Sequence, residues 1–68
     1  MTALRVNGET AEIAATTVAE LLAARGIDPA ARFLAVAVNG AVIRRAEWQQ
    51  AALAAGDEVE IVRPLQGG

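Results

Sequence analysis

The dipeptide Asn-Gly occurs twice, at residues 7–8 and 39–40, each time between short runs in which large aliphatic residues alternate with small or polar ones. A type I′ turn demands positive φ at both central residues, which Asn and Gly tolerate, and its twist matches the strands that it joins. Before the first pair Leu4 and Val6 alternate with Ala3 and Arg5, and after it Glu9 to Ile13 resumes an extended pattern. Before the second, Leu34, Val36 and Val38 alternate with Ala35 and Ala37, and Ala41 to Arg44 returns. Two hairpins of the same chemistry are expected.

Between them the period changes. Val18, Leu21, Leu22 and Arg25 stand at i, i+3, i+4 and i+7, the spacing that lines one face of a helix. Thr17 and Glu20 form a capping-box pattern, each side chain accepting from the other residue's backbone N–H. Gly26 suits a left-handed C′ position, and Asp28-Pro29 forbids immediate resumption. A helix over about residues 18–25 is predicted.

Ala46 to Ala55 is rich in helix formers but has no clean stripe. It reads as a short turn or helical piece anchored in the core by Trp48 and Leu53, and Gly56-Asp57 ends it. Glu58 to Arg63 alternates again, Val59 and Ile61 on one side and Glu58 and Glu60 on the other, as a half-buried strand does. Tight turns make antiparallel neighbours and a strand–helix–strand crossover permits parallel ones. The expectation is an α+β fold, a mixed sheet of about five strands packed on one main helix. One domain would cover residues 1–63, with Pro64 stopping the last strand and residues 64–68 forming a flexible tail.

Composition narrows the function. Sixty-eight residues hold one core and no deep cleft. The chain has no Cys and no His, so thiolate nucleophiles, disulfides and the usual zinc and general-base options are missing. Self-contained catalysis and a metal site are not expected. Eight acidic residues against six scattered arginines give a net charge of −2, which argues against nucleic acid as a partner. The one arginine pair, Arg44-Arg45, fits a solvated turn better than a phosphate site. The longest apolar run, Phe33 to Val38, is too short to span a membrane, and no signal-peptide pattern opens the chain. A soluble cytoplasmic protein is expected.

The candidate functional residues lie near the C-terminal end. Gly67 and Gly68 offer no side-chain chemistry, but they form the slimmest stalk on which an α-carboxyl can enter another protein's active site. The alternative is an ordinary frayed end. Leu65 is either a hydrophobic grip for a partner or an accidental surface leucine. Glu58 and Glu60 fit a solvated surface or cross-strand partners of Arg5 better than a catalytic dyad, and a docking patch for a basic partner stays open.

Several stretches, taken in order, resemble the ubiquitin-like β-grasp sulfur carriers, the ThiS family of thiamine biosynthesis in particular. They are Val6-Asn7-Gly8-Glu9, Thr17 to Leu22, Val36 to Gly40, Arg45 with Trp48 three residues on, Gly56 to Val62, and Gly67-Gly68. One departure is Arg44, where members of the family often carry proline. The resemblance implies a β-grasp fold and a carrier whose Gly68 carboxylate is adenylated by a ThiF-like, ATP-dependent adenylyltransferase. A persulfide donor then converts it to a thiocarboxylate, and the sulfur passes to a ThiG-like thiazole synthase. No cofactor would be bound, since ATP is the activating partner's substrate. Rival readings are the small subunit of molybdopterin synthase, a ubiquitin-like protein modifier and a β-grasp binding module with an inert tail.

Overall fold

The computed structural model describes residues 1–63, so the expected flexible tail of residues 64–68 lies outside the described residues. Strands β1 (Thr2–Val6) and β2 (Glu9–Ile13) precede helix α1 (Val18–Ala24). Strands β3 (Ala35–Val38) and β4 (Ala41–Ile43) follow, then a 3₁₀ turn (Arg45–Glu47) and β5 (Glu58–Val62). The sheet order is β2-β1-β5-β3-β4. Both hairpins are antiparallel, β5 runs parallel to β1 and antiparallel to β3, and the expected mixed five-strand sheet on one helix is what forms.

Both turns have the backbone that their dipeptides imply, with φ of 51° and 85° at Asn7-Gly8 and 52° and 84° at Asn39-Gly40. Side chains alternate between the faces of a strand. Leu4, Val6, Val36, Val59 and Ile61 therefore turn inward and join Val18, Leu21 and Leu22 of α1 in a single apolar core. The stripe of α1 is buried through Leu22. Arg25 at its fourth position is the exposed C-cap, and Gly26 follows at φ 71°.

The N-terminal cap differs from the expected box. The Thr17 hydroxyl oxygen accepts from the Glu20 N–H at 3.2 Å, as expected. Glu20 Oε1, however, accepts from the backbone N–H and the hydroxyl of Thr16, at 2.7 and 2.9 Å. Extended backbone at Thr17 (φ −135°, ψ 165°), held by a bridge to Ala52, brings Thr16 rather than Thr17 within reach of the carboxylate. The Thr16 backbone N–H and then its hydroxyl lower the pKa of Glu20 below the usual carboxylate value.

The connector after β4 is tied down by Trp48, which is buried and donates its indole N–H to the Ile43 carbonyl at 2.9 Å; Leu53 is buried beside it in the core. Of the arginine pair, Arg44 is the solvated one, 3.4 Å from Glu47. Arg45 does more than face water. It donates to the carbonyls of Pro29 and Ala31 and lies 4.7 Å over the Trp48 ring, so one guanidinium joins the loop after α1 to the connector.

Candidate functional site

β5 is the middle strand of the sheet, and Arg63, the last described residue, follows it directly. The described chain therefore ends directly after a strand that is paired on both sides, with β1 and with β3. Gly67, Gly68 and Leu65 lie beyond Arg63, outside the described residues.

The C-terminal end of β5 is gripped by a side chain. Asn7 Oδ1 accepts from the Ile61 N–H at 2.8 Å, and Asn7 Nδ2 donates to the Ile61 carbonyl at 3.3 Å, both in part-buried surroundings. A carboxamide carries an N–H donor and a carbonyl acceptor on adjacent atoms, as a peptide group does, so this one side chain copies the two-bond pairing of a ladder residue. It acts two positions before Arg63. The backbone N–H of Asn7 adds a bond to the Val59 carbonyl at 2.9 Å.

At the other end of β5 the second turn does related work. Asn39 donates its N–H to the Glu58 carbonyl at 2.7 Å, and its Oδ1 accepts from the Glu58 N–H at 2.9 Å. Asn39 Nδ2 donates to Asp57 Oδ1 at 3.1 Å, while Asp57 Oδ2 accepts from the Ala54 N–H at 2.8 Å. The Ala54 bond first, and the Asn39 bond second, lower the pKa of Asp57 below its ordinary value. Sequence reasoning uses both asparagines only as turn formers. The choice of a carboxamide at both positions is the available signal.

Glu58 and Glu60 project on the sheet face away from α1, as their alternation requires. Arg5 Nε is 3.7 Å from Glu58, the expected cross-strand pairing, but both side chains are more than half exposed and water screens the pair. Glu60 sits opposite Ala37 in the ladder instead of opposite an arginine. Among the described residues the two carboxylates share an exposed face and are not held in a buried site. The same face carries Val42 and Val62, 74% and 60% exposed.

On the other side of the end of β5 runs a groove of about 270 Å³, into which Asn7, Arg25 and Arg63 face together with Glu9. It is polar and open, unlike an enclosed active site.

Phe33 enters the sequence reading only as part of an apolar run. It is 78% exposed and has φ 63°, the left-handed region that bulky side chains avoid. Phe33 and Leu34 both precede β3, so strand alternation does not place either of them. Leu34 is the one that turns inward.

The sequence matches the ThiS family over residues 4–68, nearly the whole chain and through Gly67-Gly68. The chain belongs to the ThiS family. Its backbone is similar to the crystal structure of a thiamine biosynthesis protein, ThiS, from Geobacter metallireducens. That comparison has a TM-score of 0.79 at 30% identity and covers 98% of this chain and 100% of that one. A solution NMR structure of a thiamine biosynthesis protein from the same organism gives 0.78 at 30% identity, covering 98% and 88%. No curated protein matches the chain. The ThiS fold and sequence together support a sulfur carrier of thiamine biosynthesis, small and not itself catalytic. Among the described residues, no helix is long and apolar enough to cross a membrane.

Proposed function

We propose that this ThiS-family chain is a protein substrate whose Gly68 carboxylate carries sulfur, in the cytoplasm, to the formation of the thiazole ring of thiamine. The observation that carries the reading is the family match running through Gly68 in a chain that has no cysteine on which to hold sulfur. An α-carboxyl, which ordinarily titrates at roughly pH 3.3–3.7, is an unreactive anion at neutral pH. It needs activation, and the chain contains no phosphate-binding glycine loop to provide it.

In the proposed sequence a ThiF-like adenylyltransferase supplies that step. A Gly68 carboxylate oxygen attacks the α-phosphorus of ATP, pyrophosphate leaves, and an acyl-adenylate forms. The terminal sulfur of a persulfide donor attacks the acyl carbon and expels AMP, leaving an acyl disulfide. A second thiol attacks the donor's sulfur in that disulfide, the two thiols end as a disulfide, and the thiocarboxylate is released on Gly68. A ThiG-like thiazole synthase receives the sulfur. Gly67 and Gly68 thread into both active sites because nothing bulkier than backbone has to pass. Leu65, Glu58 and Glu60 are the proposed contacts with these partners.

The test is reconstitution of the purified chain with a ThiF-like adenylyltransferase, ATP, a persulfide donor and a thiol, followed by intact mass. The expected products are an adenylyl adduct and then a form with one oxygen replaced by sulfur. Deleting Gly68 should remove both products and leave the circular dichroism spectrum unchanged. Sulfur acquired by the shortened chain would overturn the reading.

A further inference from the structure

Phe33 combines two unfavourable features. A bulky L-residue at φ 63° carries backbone strain, and with 78% of its surface in water the ring recovers little of this by burial. Among the described residues nothing buries the ring. Strain of this kind at an exposed aromatic is an outlier from which a functional contact can be inferred.

Its place in the fold says what the contact is. Phe33 stands two residues before Ala35, whose ladder partner is Val62, the last residue of β5. Two residues of chain and one strand spacing put the Phe33 Cα within about 12 Å of that of Val62. From Arg63, the five residues to Gly68 span at most about 17 Å even when fully extended. A folded domain is about 30 Å across, so an enzyme that encloses the Gly68 carboxylate must come down over the end of β5. Phe33 lies inside that footprint. Ala35 and Val62, the ladder pair nearest to it in the chain, are both apolar and exposed.

The geometry points to Phe33 as an aromatic anchor that inserts into an apolar pocket of the activating adenylyltransferase and holds the carrier while Gly67 and Gly68 enter the active site. This rests on the adenylation reading above. The left-handed turn holds the ring outside the core, and docking buries it. Aromatic anchors of this type dominate the energetics of the interfaces that they enter.

Two variants separate this role from a structural one. Phe33→Gly accepts the left-handed backbone, and Phe33→Asn tolerates it, while both remove the ring. The expected result is a midpoint of thermal unfolding that is unchanged or higher, together with a KM of the adenylyltransferase for the carrier raised about thirtyfold. The loss should be carried mainly by KM, as for removed binding contacts. If wild-type carrier is adenylated and both variants keep its KM within twofold, the anchor is wrong and the adenylation reading survives. If wild-type carrier is not adenylated, that reading fails and the anchor with it. A fall in the unfolding midpoint with unchanged KM would make Phe33 structural. A wild-type dimer in sedimentation that Phe33→Gly dissolves would assign the ring to self-association and overturn the proposal.

Discussion

The turns at Asn7-Gly8 and Asn39-Gly40 share their φ values to within one degree at each position. Their side chains nevertheless serve opposite ends of β5. β1 runs parallel to β5, so the turn that closes it arrives beside Ile61, close to where the chain leaves the sheet. β3 runs antiparallel to β5, so its turn arrives beside Glu58, where the strand begins. The dipeptide dictates the backbone, and strand direction dictates what the carboxamide then holds. The two grips also differ in surroundings, part-buried around Asn7 and exposed around Asn39.

That difference in burial makes Asn7→Gly the most damaging change among those that compare the turns. Glycine keeps the positive φ, so the substitution isolates the carboxamide. At residue 7 it strips the Ile61 N–H and carbonyl of partners that water replaces poorly, at a cost of about 1–3 kcal/mol. At residue 39 water takes over more easily, and the loss should be under about 1 kcal/mol. Urea unfolding of Asn7→Gly and Asn39→Gly measures both. Amide exchange should show Ile61 losing protection in the first variant while Glu58 keeps it. Equal losses would mean that burial does not distinguish the two ends.

A change to the glycines should, in contrast, erase the distinction. Gly8 and Gly40 have φ of 85° and 84°, and an added Cβ would meet no atom within 4 Å at either position. The cost of Gly8→Ala and Gly40→Ala is therefore the dihedral term alone, about 1–2 kcal/mol each. The two unfolding midpoints should fall by the same amount. A clear gap between them would show that the turns differ in backbone strain as well as in side-chain role.

How much of this was legible before folding depends on the range of each interaction. The hairpins, α1 and the inward set of β5 follow from neighbours within four residues, and period and turn chemistry are local signals. Trp48 was legible as an anchor because it is the one aromatic in an alanine-rich connector, and large aromatics contribute mostly by burial. The grip of Asn7 on Ile61 spans 54 residues and the bond from Asn39 to Asp57 spans 18. Neither can be read until the strand order is known. Arg45 was hidden for a similar reason, because the carbonyls of Pro29 and Ala31 that it binds come from a loop more than ten residues away. The reading of Gly68 rests on its position in the sequence and falls outside the described residues, whereas Phe33 was hidden because an exposed, left-handed phenylalanine violates the pattern used to find cores.

The smallest effect, acidification, separates the turns by chemistry instead of burial. Asn39 holds a carboxylate, whereas no carboxylate accepts from the Asn7 side chain among the described residues. The Ala54 N–H and then the Asn39 amide keep the folded pKa of Asp57 below the value, about 3.9, that an unfolded aspartate shows. A depressed pKa contributes stability above the unfolded value, and that stability is lost as pH falls through the folded one. Glu20 behaves in the same way, but both turn variants retain it and its contribution cancels between them. The penalty of Asn39→Gly should therefore shrink between neutral pH and about pH 3, while that of Asn7→Gly stays constant. Asp57→Asn should make the Asn39→Gly penalty independent of pH. Urea midpoints at the two pH values decide it, and an Asn39→Gly penalty that survives acid unchanged would mean that the bond to Asp57 adds nothing beyond the grip on Glu58.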